Sequence, residues 1–261
     1  MAWALWCIAL TSPAHPYGQK PDAQRVEDAL KRVQQWRVHQ GDPVERIGDV
    51  DLLALAGATQ AVPALKEEFT VTKDTWLKLA IASALVKFGD KEPAYWDFLA
   101  DKAKEATEND APFIWDSEGK ADRNQRELSP EFIEWAKAHN LDPAAAAQSQ
   151  VYELPIHFGY LAKTGDPRGR ELLRMGLKSR NYLIQSFAAR GLAKLQDKDS
   201  IPLIIEACTK LSQLRASWIA RALIFFDDPR AQSAAEMFID KQMLEELRKL
   251  IREHGADPFL Y

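Results

Sequence analysis

The residues that could do acid–base chemistry in this chain are few, and none has a spacing typical of an active site. His139 and His157 would titrate near neutral pH, where a general base is useful, but neither has a nucleophile or an acid at a recognisable motif spacing. The chain contains no HExxH pair, GxSxG elbow, Walker loop or EF-hand loop. We therefore predict no catalytic residue, no metal ligand and no cofactor, which indicates a protein that is not an enzyme.

The strongest local candidate for a contact with a partner is the segment 111–116, which contains Phe113, Trp115 and Asp116. This segment is aromatic, and it lies between two polar stretches. Large apolar rings are stabilised only when they are covered. We therefore expect Phe113 and Trp115 to pack either on the repeats of the chain itself or on a bound partner, and both alternatives are open at this point.

A second candidate is a pair of arginines, Arg190 and Arg221, which are 31 residues apart and occupy the same position of an internal repeat. Equivalent positions in stacked repeats form a row, so the two side chains would form a basic ladder. Guanidinium groups suit carboxylates and phosphates because of their fork geometry. The ladder predicts an acidic protein or peptide partner at the C-terminal repeats; the alternative is two surface arginines bonded to neighbouring acids.

Other residue types that can mark sites are expected to be core residues here. Trp76 and Trp218 lie in apolar helical stretches and are expected to be packing residues. Cys208 lies in an apolar run and is expected to be a small buried side chain. With Cys7 as the other cysteine, the chain has neither a disulfide framework nor the cysteine spacing of a metal site.

The elements that must position these residues follow a 31-residue internal repeat. Two series have this spacing, namely Leu161, Leu192 and Leu223, and Asp166, Asp197 and Asp228. At each boundary we expect the Leu to face the core and a Gly position to end the helix through a left-handed cap. The Asp is expected to accept hydrogen bonds from the first N–H groups of the next helix. Related boundaries occur at 53–58 and 85–90, so the spacing predicts stacked helix pairs.

The segments Ala61-Val62-Pro63-Ala64-Leu65 and 82–90 resemble the two consensus segments of the HEAT-repeat family, including the HEAT-like repeats named after phycobilisome lyases. The resemblance covers residues 44–100 and 155–240. It implies an all-α fold, a right-handed α-solenoid of stacked antiparallel helix pairs, that acts as a scaffold or adaptor in protein–protein interaction. Two alternatives, a bilin-lyase-like enzyme or accessory protein and a HEAT-like DNA glycosylase, depend on analogy of fold alone.

The period divides the chain into four predicted segments. Residues 1–22 are a signal-like apolar segment with a linker, and 23–101 are N-terminal helical repeats. Residues 102–150 are an irregular insertion with short helices. Residues 151–261 are C-terminal repeats ending in a densely charged helix, as a capping repeat requires.

Charge is distributed unevenly along the chain, although its net value is only −4. Residues 90–159 contain 15 acidic and 7 basic residues, whereas residues 160–230 contain 13 basic and 7 acidic residues. Such an asymmetry can steer a charged partner. The negative net charge argues against a general nucleic-acid binder, so no nucleic-acid partner is expected.

The apolar run 2–10 resembles the core of a secretory signal, and Ser12-Pro13-Ala14 follows as a small-residue cleavage site. The run is too short to span a bilayer, so no stable membrane insertion is expected. The pattern predicts a periplasmic or secreted bacterial protein. The alternative is an apolar first helix in a cytoplasmic one.

Overall fold

The structure is a computed structural model that describes residues 21–36, 41–115, 127–148, 153–255 and 257–259. Fourteen α-helices lie within these ranges: α1 (Ala23–Gln34), α2 (Pro43–Ala56), α3 (Val62–Val71), α4 (Thr75–Lys87), α5 (Pro93–Asn109), α6 (Pro130–Ala138), α7 (Pro143–Ala147), α8 (Leu154–Thr164), α9 (Arg170–Gly176), α10 (Tyr182–Lys194), α11 (Ile201–Thr209), α12 (Gln213–Ala220), α13 (Pro229–Phe238) and α14 (Lys241–His254). Short 3-10 turns precede α3, α9 and α11, and another, Arg221–Phe225, follows α12 directly. No strand occurs in the described ranges.

These helices group into two compact units. The first contains the described residues of 1–99 and 242–261, and the second contains those of 100–241. In the first unit α2 packs on both α1 and α4, and α3 packs on α4. In the second unit α10 lies between α8 and α12, while α9 packs on α10 and α11 packs on α12. Packing of neighbouring helices in pairs confirms the predicted all-α repeat fold. The handedness of the solenoid and the four-segment organisation stay predictions.

In the second unit, two second helices, α8 and α10, are buried on nearly all sides. Eleven of the thirteen residues of α10 are buried, and a helix that is apolar all round must be surrounded by other elements. Small residues make this possible, because they let neighbouring helices approach. A Cβ added to Gly159 would lie 3.3 Å from the ring of Phe187, and one added to Gly176 would lie 2.3 Å from the Cζ atom of Phe158.

The turns at the repeat boundaries have the predicted left-handed caps at three glycines. Gly57, Gly89 and Gly165 have φ angles of 68°, 84° and 66°. Gln196 takes the same role without being glycine, at φ 52°. Its side-chain amide donates to the carbonyl of Phe225 at 2.7 Å and its amide oxygen accepts from the backbone N–H of Asp227 at 3.0 Å. These bonds stabilise the left-handed conformation and tie one boundary turn to the next.

The capping prediction is confirmed at some boundaries and wrong at others. Asp166 and Asp228 each accept a hydrogen bond from the backbone N–H two residues later, at 2.9 Å. Asp197 does not cap the next helix through its side chain, because that carboxylate is bonded to Arg174 and Ser200 instead. The left-handed backbone cap is also missing at one boundary, where Asp227 stands at the Gly position. There the chain leaves the Arg221–Phe225 turn in an extended conformation.

The prediction that Cys208 is a small buried side chain is confirmed. Cys208 is buried, and burial raises the pKa of its thiol to about 12. Such a thiol holds almost no thiolate at neutral pH and is chemically inert. Ser129 begins α6, and its hydroxyl oxygen accepts a hydrogen bond from the N–H of Phe132 at 3.1 Å.

The close approach of Phe158 to Gly176 gives a stability test. We expect Gly176→Ala to lower the free energy of unfolding by about 1–3 kcal/mol, because the rigid ring cannot move away from the added methyl group without repacking. Gly48→Ala in the interior of α2 is the matched control, since nothing lies within 4 Å of the added Cβ. There the gain in helix propensity of up to about 1 kcal/mol should raise stability. Urea unfolding of both variants makes the comparison, and equal effects would contradict the packing argument.

Candidate binding surface of the C-terminal repeats

The first aromatic of the insertion, Phe113, packs on the helices of its own chain. Its ring meets the ring of Tyr182, at the start of α10, edge-on with 4.9 Å between centroids. The side-chain amide of Asn181 donates to the carbonyl of Ala111 at 3.4 Å, which holds the segment at the same place. Of the two alternatives left open by the sequence, the structure shows Phe113 packed on the repeats and partly buried. A role for it in partner binding stays a prediction.

The second aromatic, Trp115, is half-buried beside a small apolar cluster within the insertion. An antiparallel bridge pairs Trp115 with Leu128. The buried members of the cluster come from the segment itself and from α6 and α7: Ala111, Ile114, Phe132, Trp135, Ala136 and Ala146. Asp116, the third residue of the candidate site, lies outside the described residues. Trp115 therefore contributes to a local core of the insertion.

The two arginines of the predicted ladder lie in different environments. Arg190 in α10 is only 9% exposed. Arg221 is half-buried, and its guanidinium carbon lies 4.6 Å from the centroid of the Trp218 ring. A partner would therefore reach Arg221 much more readily than Arg190, and the ladder as a row of two equal contacts stays a prediction.

The second helices of this unit carry charge of one sign only. Within α8, α10, α12 and the turn Arg221–Phe225, every charged side chain is a cation: Lys163, Arg190, Lys194, Arg215 and Arg221. These four ranges contain no Asp and no Glu. Lys163 and Arg221 each lie over an aromatic ring, at 4.8 Å from Tyr160 and 4.6 Å from Trp218. Such cation–π contacts hold a cation in place at the surface.

Carboxylates lie instead on the first helices and in the boundary turns, where many are paired with cations. Asp166 pairs with Arg168 and Asp228 with Arg230, each at 2.7 Å. Hydrogen bonds from Arg230 lower the pKa of Asp228 to about 2. The two layers of the unit therefore differ in the sign of their charged residues, with cations alone on the second helices.

A buried carboxylate joins one repeat to the next. Asp197 in the turn before α11 accepts from Arg174 of α9 at 2.9 Å and from the hydroxyl of Ser200, and Arg170 lies 3.6 Å away. Burial opposes the ionisation of Asp197, but the bonds from Ser200 and Arg174 outweigh it and lower the pKa of this carboxyl. In the first unit Lys66 of α3 and Asp90 make the corresponding pair at 2.7 Å. The boundary aspartate thus links repeats as well as capping helices.

Two acidic side chains of the insertion, Asp110 and Glu131, bond to groups within the second unit. Arg215 of α12 pairs with Glu131 of α6 at 3.3 Å and lies 5.6 Å from the ring centroid of Tyr182. The carboxylate of Asp110 accepts from the backbone N–H of Arg180 at 3.0 Å. Some of the residues that make the sequence asymmetric in charge therefore interact within the unit.

The expectation that Trp218 is a packing residue is wrong. Trp218 is 39% exposed, and Leu214, one helical turn earlier on α12, is 53% exposed. The sequence analysis missed this surface because both residues belong to an apolar helical pattern that is buried elsewhere in the repeats. No signal within α12 alone would have revealed it.

The two histidines lie apart from any catalytic arrangement. His157 is buried in α8, with its Nε2 atom 3.7 Å from a carboxylate oxygen of Glu153. The Nδ1–H of His139 donates to the carbonyl of Trp135 at 2.7 Å. Within the ranges that the structure describes, no three His, Cys, Asp or Glu residues are placed to share a metal ion. None of the described helices has both the length and the apolar character needed to cross a bilayer.

The comparison with protein families locates the resemblance on this unit. Residues 184–210 match the family described as PBS lyase HEAT-like repeat. The match begins within α10 and ends just after α11, so it spans a second helix, a boundary turn and the following first helix. It confirms the similarity to HEAT-like repeats that the consensus segments indicated. No curated protein matches the chain.

The packing of Phe113 on Tyr182 can be tested through stability. We expect Phe113→Ala to lower the free energy of unfolding by about 1–3 kcal/mol, because the ring loses its aromatic partner and leaves a gap. Met237→Ala removes an exposed apolar side chain from α13, so this control should change stability by no more than about 0.5 kcal/mol. If thermal and urea unfolding show no difference between the two variants, Phe113 does not act by packing on the repeats.

The Arg174–Asp197 pair predicts a pH-dependent effect. Arg174→Met should lower the urea midpoint at pH 7 more than Lys210→Met, which breaks an exposed pair with Glu206. Only the first change removes the hydrogen-bonded cation of a buried carboxylate. The folded pKa of Asp197 lies below its unfolded value of about 3.9. Its stabilisation is therefore present above that pH and is lost as the pH falls through the folded pKa.

The difference between Arg174→Met and the wild-type chain should accordingly shrink between pH 5 and pH 2. Lys210→Met should show little difference from the wild-type chain at either pH. Equal shifts for both variants at pH 7 would show that Asp197 does not depend on Arg174.

Proposed function

We propose that this chain is a non-catalytic HEAT-like repeat protein that binds an acidic protein partner through the second helices of its C-terminal repeats. The observation that carries the proposal is the charge of α8, α10, α12 and the turn after α12, which contain five cations and no carboxylate. Helical repeats stack into extended surfaces that other proteins bind. A surface of one sign attracts a partner of the other sign and raises its rate of association.

The placement of the cations supports binding over a purely structural role. Acids on the first helices pair with nearby cations, for example Glu206 with Lys210 at 2.7 Å. On the second helices Lys163 and Arg221 lie on aromatic faces, which fixes the position of each cation at the surface. Ammonium and guanidinium groups in fixed positions suit the carboxylates of an acidic partner.

A bilin-lyase-like role is the second candidate, and the description of the matched family favours it. The match covers residues 184–210, which belong to the helical repeats, so the likeness concerns fold. A linear tetrapyrrole titrated into the protein separates the two functions. A shift of its visible absorbance would support the second candidate, whereas binding of a protein with no such shift supports the first.

We also propose export, on the basis of the signal-like run at residues 2–10. Fractionation of the source cell with an antibody to the C-terminal repeats tests it. The protein should appear outside the cytoplasm and be shorter than the full chain by the mass of the cleaved segment. Full-length protein confined to the cytoplasm would contradict export without affecting the proposal of partner binding.

The binding proposal is tested with two variants that have the same net charge. The first, Lys163→Gln/Lys194→Gln/Arg221→Gln, removes three cations from the second helices. The control, Lys178→Gln/Lys198→Gln/Lys210→Gln, removes three exposed cations from the turns next to the first helices. Each immobilised protein is used for affinity capture from the exported and cytoplasmic fractions of the source cell, and bound proteins are identified by mass spectrometry.

We expect the wild-type chain and the control to capture the same acidic protein, and the second-helix variant to lose at least about tenfold of it, since each lost charge-assisted bond contributes about 1 kcal/mol or more. The captured protein should elute when the salt concentration is raised, because salt screens the attraction between exposed charges. Equal loss in both variants would show that net charge alone is responsible. Equal retention would exclude the second helices as the binding surface.

A further inference from the structure

The exposed face of α12 has features of a binding surface that the charge pattern alone does not show. Leu214 and Trp218 are 53% and 39% exposed. They are four residues apart on one helix, so their side chains are neighbours on the same face. The hydroxyl of Ser186 in α10 donates to the carbonyl of Trp218 at 3.1 Å, which fixes this part of α12 on its neighbour. The result is a rigid apolar surface open to solvent.

The repeat shows that this exposure is particular to α12. At the same positions 31 residues earlier, Leu183 is 9% exposed and Phe187 is 6% exposed. Phe187 is covered because its ring packs against Gly159 of the preceding second helix. The position of Gly159 is taken by Arg190 in the next repeat, so Trp218 finds no equivalent space on α10. The apolar surface that one repeat buries is left exposed in the following one.

Positive charge borders this apolar surface. The guanidinium of Arg221 lies over the Trp218 ring at 4.6 Å. From Leu211 to Phe226 the chain contains two arginines and no acidic residue. Trp and Arg are the residue types that most often dominate binding energy in protein interfaces, especially where an apolar centre is bordered by polar groups. The chemistry of the surface thus fits a ligand that carries both apolar side chains and carboxylates.

We propose that Leu214, Trp218 and Arg221 form a docking site for an acidic segment of another protein that presents large apolar side chains. The apolar side chains of the segment pack on Leu214 and Trp218, and a carboxylate pairs with Arg221. Nucleic acid fits the surface less well, because its affinity depends on many phosphate contacts and α12 supplies few cations. This inference rests on the proposed function and identifies Leu214 and Trp218 as the apolar part of the proposed binding surface.

The test uses fluorescein-labelled synthetic peptides of 18 residues and fluorescence anisotropy. One peptide is an amphipathic helix of Leu and Glu, with Leu at every third or fourth position. The second replaces every Glu by Lys, and the third replaces every Leu by Ser. A single-stranded DNA of 20 nucleotides is the fourth probe. The protein is the full chain, either wild type or with one of the substitutions Leu214→Gln, Trp218→Ala, Arg221→Gln or Met237→Gln.

Met237→Gln is the matched control, because it changes an exposed apolar side chain on α13 of the same unit. Circular dichroism and thermal unfolding establish that each variant is folded. If Trp218→Ala unfolds the unit, Leu214→Gln alone carries the apolar part of the test, since its side chain is more than half exposed.

We expect the Leu and Glu peptide to bind the wild-type chain and the Met237→Gln control equally. Leu214→Gln and Arg221→Gln should each weaken it at least about fivefold, and the Lys and Ser peptides should bind at least about tenfold more weakly. Unchanged binding by Leu214→Gln would overturn the docking site while leaving the second-helix cations as the proposed surface. Binding of DNA without binding of the acidic peptide would overturn both. Failure of every peptide to bind would overturn the docking site.

Discussion

The burial of α8 and α10 on nearly all sides is the constraint on which the rest of the second unit depends. Helices can surround α10 because glycines allow close approach, as Gly191 does for Leu173 of α9 and Gly159 of α8 does for Phe187. A helix enclosed in this way has few positions for charged groups. Lys and Arg can occupy such positions, because their long apolar stems pack along the helix while the charged end reaches water. Asp and Glu cannot do so without burying a carboxylate, so α8 and α10 carry only cations.

The acidic groups are placed by a different requirement, which is the need to begin each first helix. Free N–H groups at a helix start favour an acceptor and a negative charge, and Asp166 and Asp228 meet this need directly. Asp197 uses its carboxylate for Arg174 of the preceding first helix, and so it links two repeats. Helix initiation and helix burial therefore separate the charges into two layers.

How far the sequence predicts this arrangement depends on whether a feature is local. The left-handed caps at Gly57, Gly89 and Gly165 follow from residues within one turn, and they were predictable. Gln196 holds the same conformation through bonds to Phe225 and Asp227 of the next boundary, which no local pattern reveals. Phe113 packs on Tyr182, which lies 69 positions later in the chain. The aromatic character of Phe113 therefore predicted that its ring would pack on the chain, but it did not identify Tyr182 as the partner.

The candidate site was the least predictable part, because it arises where the repeat is imperfect. Trp218 has the same place in its repeat as Phe187, and its own sequence context indicates burial just as strongly. Its exposure depends on a residue in another helix, since Arg190 stands where Gly159 admits the ring of Phe187. The same substitution removes the packing site for the ring. A single departure from the repeat therefore changes a core position into a position suited to binding an acidic, apolar segment.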